Sequence, residues 1–186
     1  MLEIIQEIDS QLLLAFMQAF SCPFLATVMT VITKLGDNGF VWIAIGVLLL
    51  LYGNRTFRGR DWGMVTIISL AVNALLCNVI LKPLIGRMRP YEYLGYEPSI
   101  HALGDASFPS GHTSAAFAAA TAIYAMNPKW GRIAYVFATL MGLSRLYLGM
   151  HFPTDVICGG LLGIFAAWLT ITIWKKLERK TTIDKK

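Results

Sequence analysis

The chain of 186 residues is 56% hydrophobic and 15% charged, well below the roughly 25% charged content of an ordinary soluble domain, and carries a net charge of +5. That composition points to a membrane protein. Nucleic acid is excluded as a partner, because no basic helix with interleaved aromatics occurs and the lysines and arginines stand between or after apolar stretches.

A membrane-crossing helix needs roughly 20 residues, so a chain of this length has room for about six spans and short loops, with no separate soluble domain. Residues 1–186 therefore read as a single membrane-embedded domain, all-α and polytopic. Glu3, Glu7 and Asp9 stand where a cleaved leader would be positive, so the first residues read as retained. Met1 to Ser10 has the pattern of an amphipathic surface helix, with Leu2, Ile5 and Ile8 opposite the acids. The first span runs from Leu12 to Thr33 and contains Pro23, which kinks or breaks it. Lys34 to Gly39 is a turn across which Lys34 and Asp37 can pair, and the second span follows from Phe40 to Tyr52.

A basic loop with Arg55, Arg58 and Arg60 leads into a third span from Trp62 to Leu81. Lys82 to Pro109, with four prolines and both charge signs, is a long polar loop. The fourth span starts at Gly111 and ends at Met126, the fifth covers Ile133 to Leu148, the sixth Thr154 to Trp174, and a basic tail from Lys175 to Lys186 follows. The run Ala115 to Ala122 reads as a close helix-packing face. Cys22, Cys77 and Cys158 are odd in number, lack metal or redox spacing and sit in apolar sequence, so they read as small buried residues.

With six spans, the Arg55/Arg58/Arg60 loop, Lys129 with Arg132, and the basic tail share one side, which the positive-inside rule makes cytoplasmic. Lys34, Lys82, Arg87, Arg89, Arg145 and all three histidines fall on the other. The chemistry is expected to face the periplasm or exterior, at the outward ends of the last four spans.

Three polar clusters lie there. In the first, Lys82 and Arg89 are seven residues apart, on similar faces of a continuous helix; they could bind an anion or merely anchor the interface by snorkelling. In the second, Pro109-Ser110-Gly111-His112 opens a helix, with Ser110 a potential N-cap and the first amides an anion site; simple capping beside a surface histidine is the plainer reading. In the third, Pro153 suits the first turn of the sixth helix and puts Asp155 just inside it and His151 just outside, where a carboxylate can orient an imidazole. A helix cap beside an interfacial histidine is the alternative, which Arg145 disfavours because a cation following an apolar run needs a partner. Together the clusters hold three cations, helix-start amides and two histidines, an inventory suited to phosphoryl transfer.

Lys82 through Arg89-Pro90, Pro109-Ser110-Gly111-His112, and Ser144-Arg145 through His151 and Asp155 resemble the three-part signature of the type 2 phosphatidic acid phosphatase superfamily. The resemblance runs from Leu81 to Asp155. It implies that His151 is a nucleophile forming a phosphohistidine, that Asp155 orients it, and that His112 is first the general acid and then the base. It also implies that Lys82, Arg89, Arg145, Ser110 and the Gly111 amide hold the phosphate, with no metal or cofactor. The family includes soluble vanadium haloperoxidases, a branch the hydrophobic content disfavours.

His101 matches no motif position and reads as a loop residue; Asp105, Glu92 and Glu97 in the same loop could screen or gate the site, but with Tyr91, Tyr93 and Tyr96 nearby an interfacial aromatic belt is the default reading, and Arg87 reads as lying outside the phosphate shell. The expected function is hydrolysis of a lipid phosphate or pyrophosphate at the cell membrane, with undecaprenyl pyrophosphate first. Phosphatidylglycerol phosphate, phosphatidate and diacylglycerol pyrophosphate are the alternatives. Transfer to an acceptor such as a lipid A sugar is a second enzymatic reading. A lipid-binding transporter or scaffold is a third, disfavoured because binding alone does not need nucleophile, acid and orienting carboxylate together.

Overall fold

The computed structural model describes residues 2–52 and 59–183, and all regular structure among them is helical. In chain order the helices are α1 (Leu2–Ala19), α2 (Pro23–Leu35), α3 (Phe40–Tyr52), α4 (Gly59–Ala74), α5 (Lys82–Ile85), α6 (Pro90–Leu94), α7 (Gly111–Met126), α8 (Pro128–Tyr147) and α9 (Pro153–Ile183). A 3-10 turn, Asp37–Gly39, joins α2 to α3, and a π-helical segment, Leu75–Leu81, joins α4 to α5.

Among the described residues, two stretches, Asp61–Leu94 and Pro153–Lys180, are long and apolar enough to cross a membrane, and α2 with α3, bent by 48°, makes a third if counted as one span. Phe24, Val79, Leu84, Val136 and Ile157 project from the surface. Such an apolar exterior suits hydrocarbon.

The expected first span is two helices. Pro23 takes the first position of α2, where a missing N–H is no loss, and the break before it is pinned to α8: the Cys22 amide donates to Tyr147 Oη (3.1 Å), which donates to the Cys22 carbonyl (2.8 Å). The expected surface helix runs on past Ser10 to Ala19. α3 and α7 match expectation. α8 begins before Ile133 because the Asn127 side chain accepts from the Lys129 and Trp130 amides (3.0 and 3.4 Å) and Pro128 opens the helix. α9 continues through the basic tail to Ile183, in keeping with the helix propensity of Lys, Arg and Glu. Arg55 and Arg58 lie outside the described residues. Of the cysteines, only Cys77 is buried; Cys158 is half-buried and Cys22 exposed.

α7 is the central post, packed against α4, α8 and α9, and Ala116, Ala118, Ala119, Ala120 and Ala122 are all buried. Glycines on α9 make this approach possible. A Cβ at Gly159 would lie 2.7 Å from the Ser110 carbonyl oxygen, and one at Gly163 would collide with the Ser114 carbonyl and the Ala118 amide. Overpacking of this kind costs about 1–3 kcal/mol, so Gly163→Val is expected to lower the melting temperature in detergent by roughly 5–10 °C. An unchanged melt would mean that the α7–α9 contact is looser than described.

The Lys82–Arg89 segment departs from the continuous helix expected. Gly86 adopts the left-handed conformation (φ 59°) and ends α5, while Arg89, in extended conformation, precedes Pro90 at the start of α6. The two cations converge because the chain turns back on itself.

Candidate active site

His151 sits in the tight loop between α8 and α9. Gly149, at φ 64°, turns the chain, and the Met150 amide returns to the Arg145 carbonyl (2.9 Å). Pro153 then starts α9 and brings Asp155 beneath the ring. That carboxylate is fully buried and well supplied with donors: Oδ2 accepts from Ser107 Oγ (2.5 Å) and the Phe152 amide (3.0 Å), and Oδ1 accepts from Arg87 Nη1 (2.6 Å). His151 Nδ1 stands 3.5 Å from Asp155 Oδ2 and 3.4 Å from Ser107 Oγ. These neighbours assign the proton to Nδ1 and leave the Nε2 lone pair toward Arg89 Nη1, 3.3 Å away. Burial pushes the imidazole down to about 3 despite Asp155, with Arg145 and Arg89 acting in the same direction. His151 is therefore a neutral nitrogen at physiological pH.

Arg87 ties Asp155 to α1. It lies over the Phe152 ring (4.2 Å) and reaches back to α1, where Gln6 Oε1 accepts from Nε (3.0 Å) and Nη2 (2.7 Å) and Asp9 Oδ2 accepts from Nη2 (2.7 Å). Asp9 is buried, and its carboxylate also accepts from the Thr154 amide (3.1 Å) and hydroxyl. An acid expected on the polar side of a surface helix is thus part of the support under His151 and Asp155.

Arg89 is buried, donating Nε to the Asp105 carbonyl (2.8 Å), Nη1 to the Met150 carbonyl (3.0 Å) and Nη2 to Asp105 Oδ1 (2.7 Å); Lys82 Nζ pairs with Asp105 Oδ2. Partial burial pulls the Asp105 carboxyl up, but the bonds and charge of Lys82 and Arg89 more than offset it and hold it down at about 2. Arg145 differs from both. It is fully buried, Nη1 donates to Thr33 Oγ1 (2.6 Å), and Nε and Nη2 have no hydrogen-bond partner among the described residues.

α7 opens at this end. Ser110 occupies the N-cap position, yet its side chain caps nothing; Oγ lies 2.9 Å from Thr113 Oγ1, and its amide donates to the Asp155 carbonyl (3.0 Å). That amide holds α7 to α9. His112 Nε2 lies 3.0 Å from Asp37 Oδ1, so Asp37 meets a histidine rather than pairing with Lys34 across the turn. The tyrosines are not a simple belt. Tyr91 Oη both donates to the Leu103 carbonyl (2.9 Å) and accepts from its amide (3.1 Å), and Tyr96 Oη donates to the Gly149 carbonyl (2.7 Å), so two of the three tie the loop down. His101 is exposed.

Lys82, Arg89, Asp105, Gly111, His112 and His151 line one cleft of about 620 Å³ together with the apolar Ile43, Ile67, Leu70, Ala71 and Ala74. Asp155, Ser110 and Arg145 are buried around it. The π-helical segment, whose wider turn places Asn78 and then Lys82 at the cleft, follows the tendency of such turns to occur at functional sites. Sequence reasoning missed Asp9, Thr33, Asp37 and Ser107. Nothing local marks them, because each acts on a residue distant in the chain. Among the described residues, no three His, Cys, Asp or Glu side chains are grouped to hold a metal ion.

Three cations and two histidines are thus brought together around one cleft among apolar helices. The chain belongs to the PAP2 superfamily, whose family model matches residues 62–179. It is 32% identical over 150 residues to the undecaprenyl-diphosphatase of Sulfolobus acidocaldarius, covering 78% of this chain and 68% of that protein. It is also 30% identical over 195 residues to the lipid A 4'-phosphatase of Bacteroides thetaiotaomicron, covering 99% of this chain and 84% of that one. The crystal structure of a transmembrane PAP2-type phosphatidylglycerolphosphate phosphatase from Bacillus subtilis superposes with a TM-score of 0.74 at 32% identity, covering 93% of this chain and 87% of that one.

Proposed function

We propose that the protein hydrolyses a lipid phosphomonoester or pyrophosphate through a phosphohistidine, with undecaprenyl pyrophosphate as the first-choice substrate. The observation that carries the lipid reading is the cleft itself, lined both by cations, Lys82 and Arg89, and by apolar side chains such as Ile43, Ile67 and Leu70, a mixture that suits an amphiphile with a phosphorylated head. In the first step His151 Nε2 attacks phosphorus, the bond to the leaving oxygen breaks, and His112 gives that oxygen a proton. In the second, His112 takes a proton from water as the water oxygen attacks phosphorus and the P–N bond breaks, releasing phosphate. Lys82, Arg89 and Arg145 would hold the nonbridging oxygens, with Ser110 and the Gly111 amide beside them, and Asp155 would fix the His151 ring.

A place in the cell membrane, with this cleft facing the periplasm or exterior, completes the proposal; the expected Leu12–Thr33 span does not cross, because Asp9, Cys22 and Thr33 bond to Thr154, Tyr147 and Arg145, all at the cleft end of α8 and α9. The basic residues Lys129, Arg132, Lys175 and Lys176 lie toward the opposite ends of α7, α8 and α9, which supports that orientation. An outward site also suits recycling of a pyrophosphate carrier. The relatives' substrates share a phosphate and differ in the lipid, so the assignment is tested with a panel. Purified protein in detergent with excess EDTA is expected to release phosphate from undecaprenyl pyrophosphate with a higher kcat/KM than from phosphatidylglycerol phosphate or phosphatidate. A reversed ranking would reassign the substrate, and no release from any lipid would end the enzymatic reading.

A further inference from the structure

The corner between α2 and α3 lies outside the segment that matches the family model, residues 62–179, yet it reaches the site twice. Thr33 accepts from Arg145 Nη1 (2.6 Å), and four residues later Asp37 Oδ1 stands 3.0 Å from His112 Nε2. Gly36 makes the close approach possible. A Cβ there would lie 3.2 Å from His112 Cδ2 and would collide with the end of Met141. The Cδ2–Nε2 edge of the His112 ring therefore faces the corner, and Nδ1 is on the opposite edge.

We propose that Asp37 is a positioning residue for His112, holding a proton on Nε2 so that Nδ1 is the nitrogen that exchanges protons with leaving group and water. The proposal rests on the acid–base role given to His112 above. As the P–O bond to the leaving group breaks, the Nδ1 proton passes to the leaving oxygen, and the ring is left neutral with its remaining proton against Asp37. When water attacks the phosphohistidine, Nδ1 takes the water proton and the imidazolium is restored. Asp155 is fully buried under His151, whereas Asp37 is 54% exposed, so its effect is expected to be the smaller of the two.

General acid catalysis is worth about 100- to 10,000-fold, and it matters most when the leaving group is a poor one. A structural role for Asp37 would slow all substrates alike. The test compares an alkyl lipid phosphate, whose alkoxide must be protonated, with p-nitrophenyl phosphate, whose phenolate can leave unaided. Asp37→Asn is expected to lower kcat/KM, which reports only the steps through departure of the leaving group, by about tenfold or more on the alkyl ester and by less than about threefold on the aryl ester. Asp37→Glu is expected to recover part of the loss. In a His112→Asn background, adding Asp37→Asn is expected to do nothing further, because the pair acts as one unit.

Equal losses on both esters, or a further loss in the His112→Asn background, would overturn the proposal while leaving the acid role of His112 intact. If His112→Asn itself showed no leaving-group dependence, that acid role would fail and the proposal with it.

Discussion

His151→Ala is expected to lower kcat for lipid phosphate release by roughly 10,000-fold or more, because loss of a nucleophile removes the covalent route while the binding groups supply only the residue of catalysis. The prediction follows from the geometry around one atom. Nδ1 is committed to Asp155 and Ser107, Nε2 lies 3.3 Å from Arg89 Nη1, and no other described nucleophile in the cleft is held by a buried carboxylate. Brief mixing with 32P-labelled substrate should leave alkali-stable, acid-labile label on the wild-type protein and none on the variant. Turnover above about one percent of wild type in the variant would assign the attack elsewhere.

The same ring carries a pH signature. Its ordinary value of 6.5 falls to about 3 in the fold, so the unfolded chain takes up the proton first as the medium becomes acidic. His151's contribution to stability is therefore complete above about 6.5 and is progressively lost as pH falls toward 3.

Arg145→Met is expected to have opposite effects on activity and stability. The guanidinium is buried with Nε and Nη2 unpartnered, a state that is unfavourable without an anion. Removing a donor that stabilises transition-state charge lowers kcat by about 100- to 1,000-fold. Replacing an incompletely paired buried charge by an apolar side chain of similar length is neutral or stabilising by about 1–4 kcal/mol, so the substrate-free variant is expected to melt no lower than wild type, despite losing the Thr33 contact. Orthovanadate should raise the melting temperature of the wild type and leave the variant unmoved. A variant that is less stable and still gains from vanadate would show that Arg145 is structural and that the anion is held without it.

The motif residues were legible because their chemistry is local. His151 and Asp155 are four apart at a helix start marked by Pro153, and Gly111 and His112 open a helix whose preceding residues include a proline and a serine. α3 and α7 were legible as well, since an apolar run ending in turn residues has few other options. The break before Pro23 was marked as a kink or a break, but its form depended on Tyr147, 125 residues away, which binds both polar groups of Cys22. The early start of α8 was written in Asn127-Pro128, a local signal that the hydropathy reading passed over.

The sequence by itself determined that the chain is an apolar helical protein carrying three polar motifs of the PAP2 superfamily, and which end of each helix holds them. Hydropathy and motif spacing are properties of neighbouring residues, so they survive without a fold. The tertiary structure alone decided that Lys82 and Arg89 meet around the turn at Gly86, and that Asp105 stands against both. It likewise decided that Asp9 supports Arg87 and Thr154, and that Asp37 faces His112 across 75 residues of chain. These are pairings of ordinary polar residues brought together by helix packing, and a buried charge takes whichever partner the packing supplies, whatever its distance in sequence.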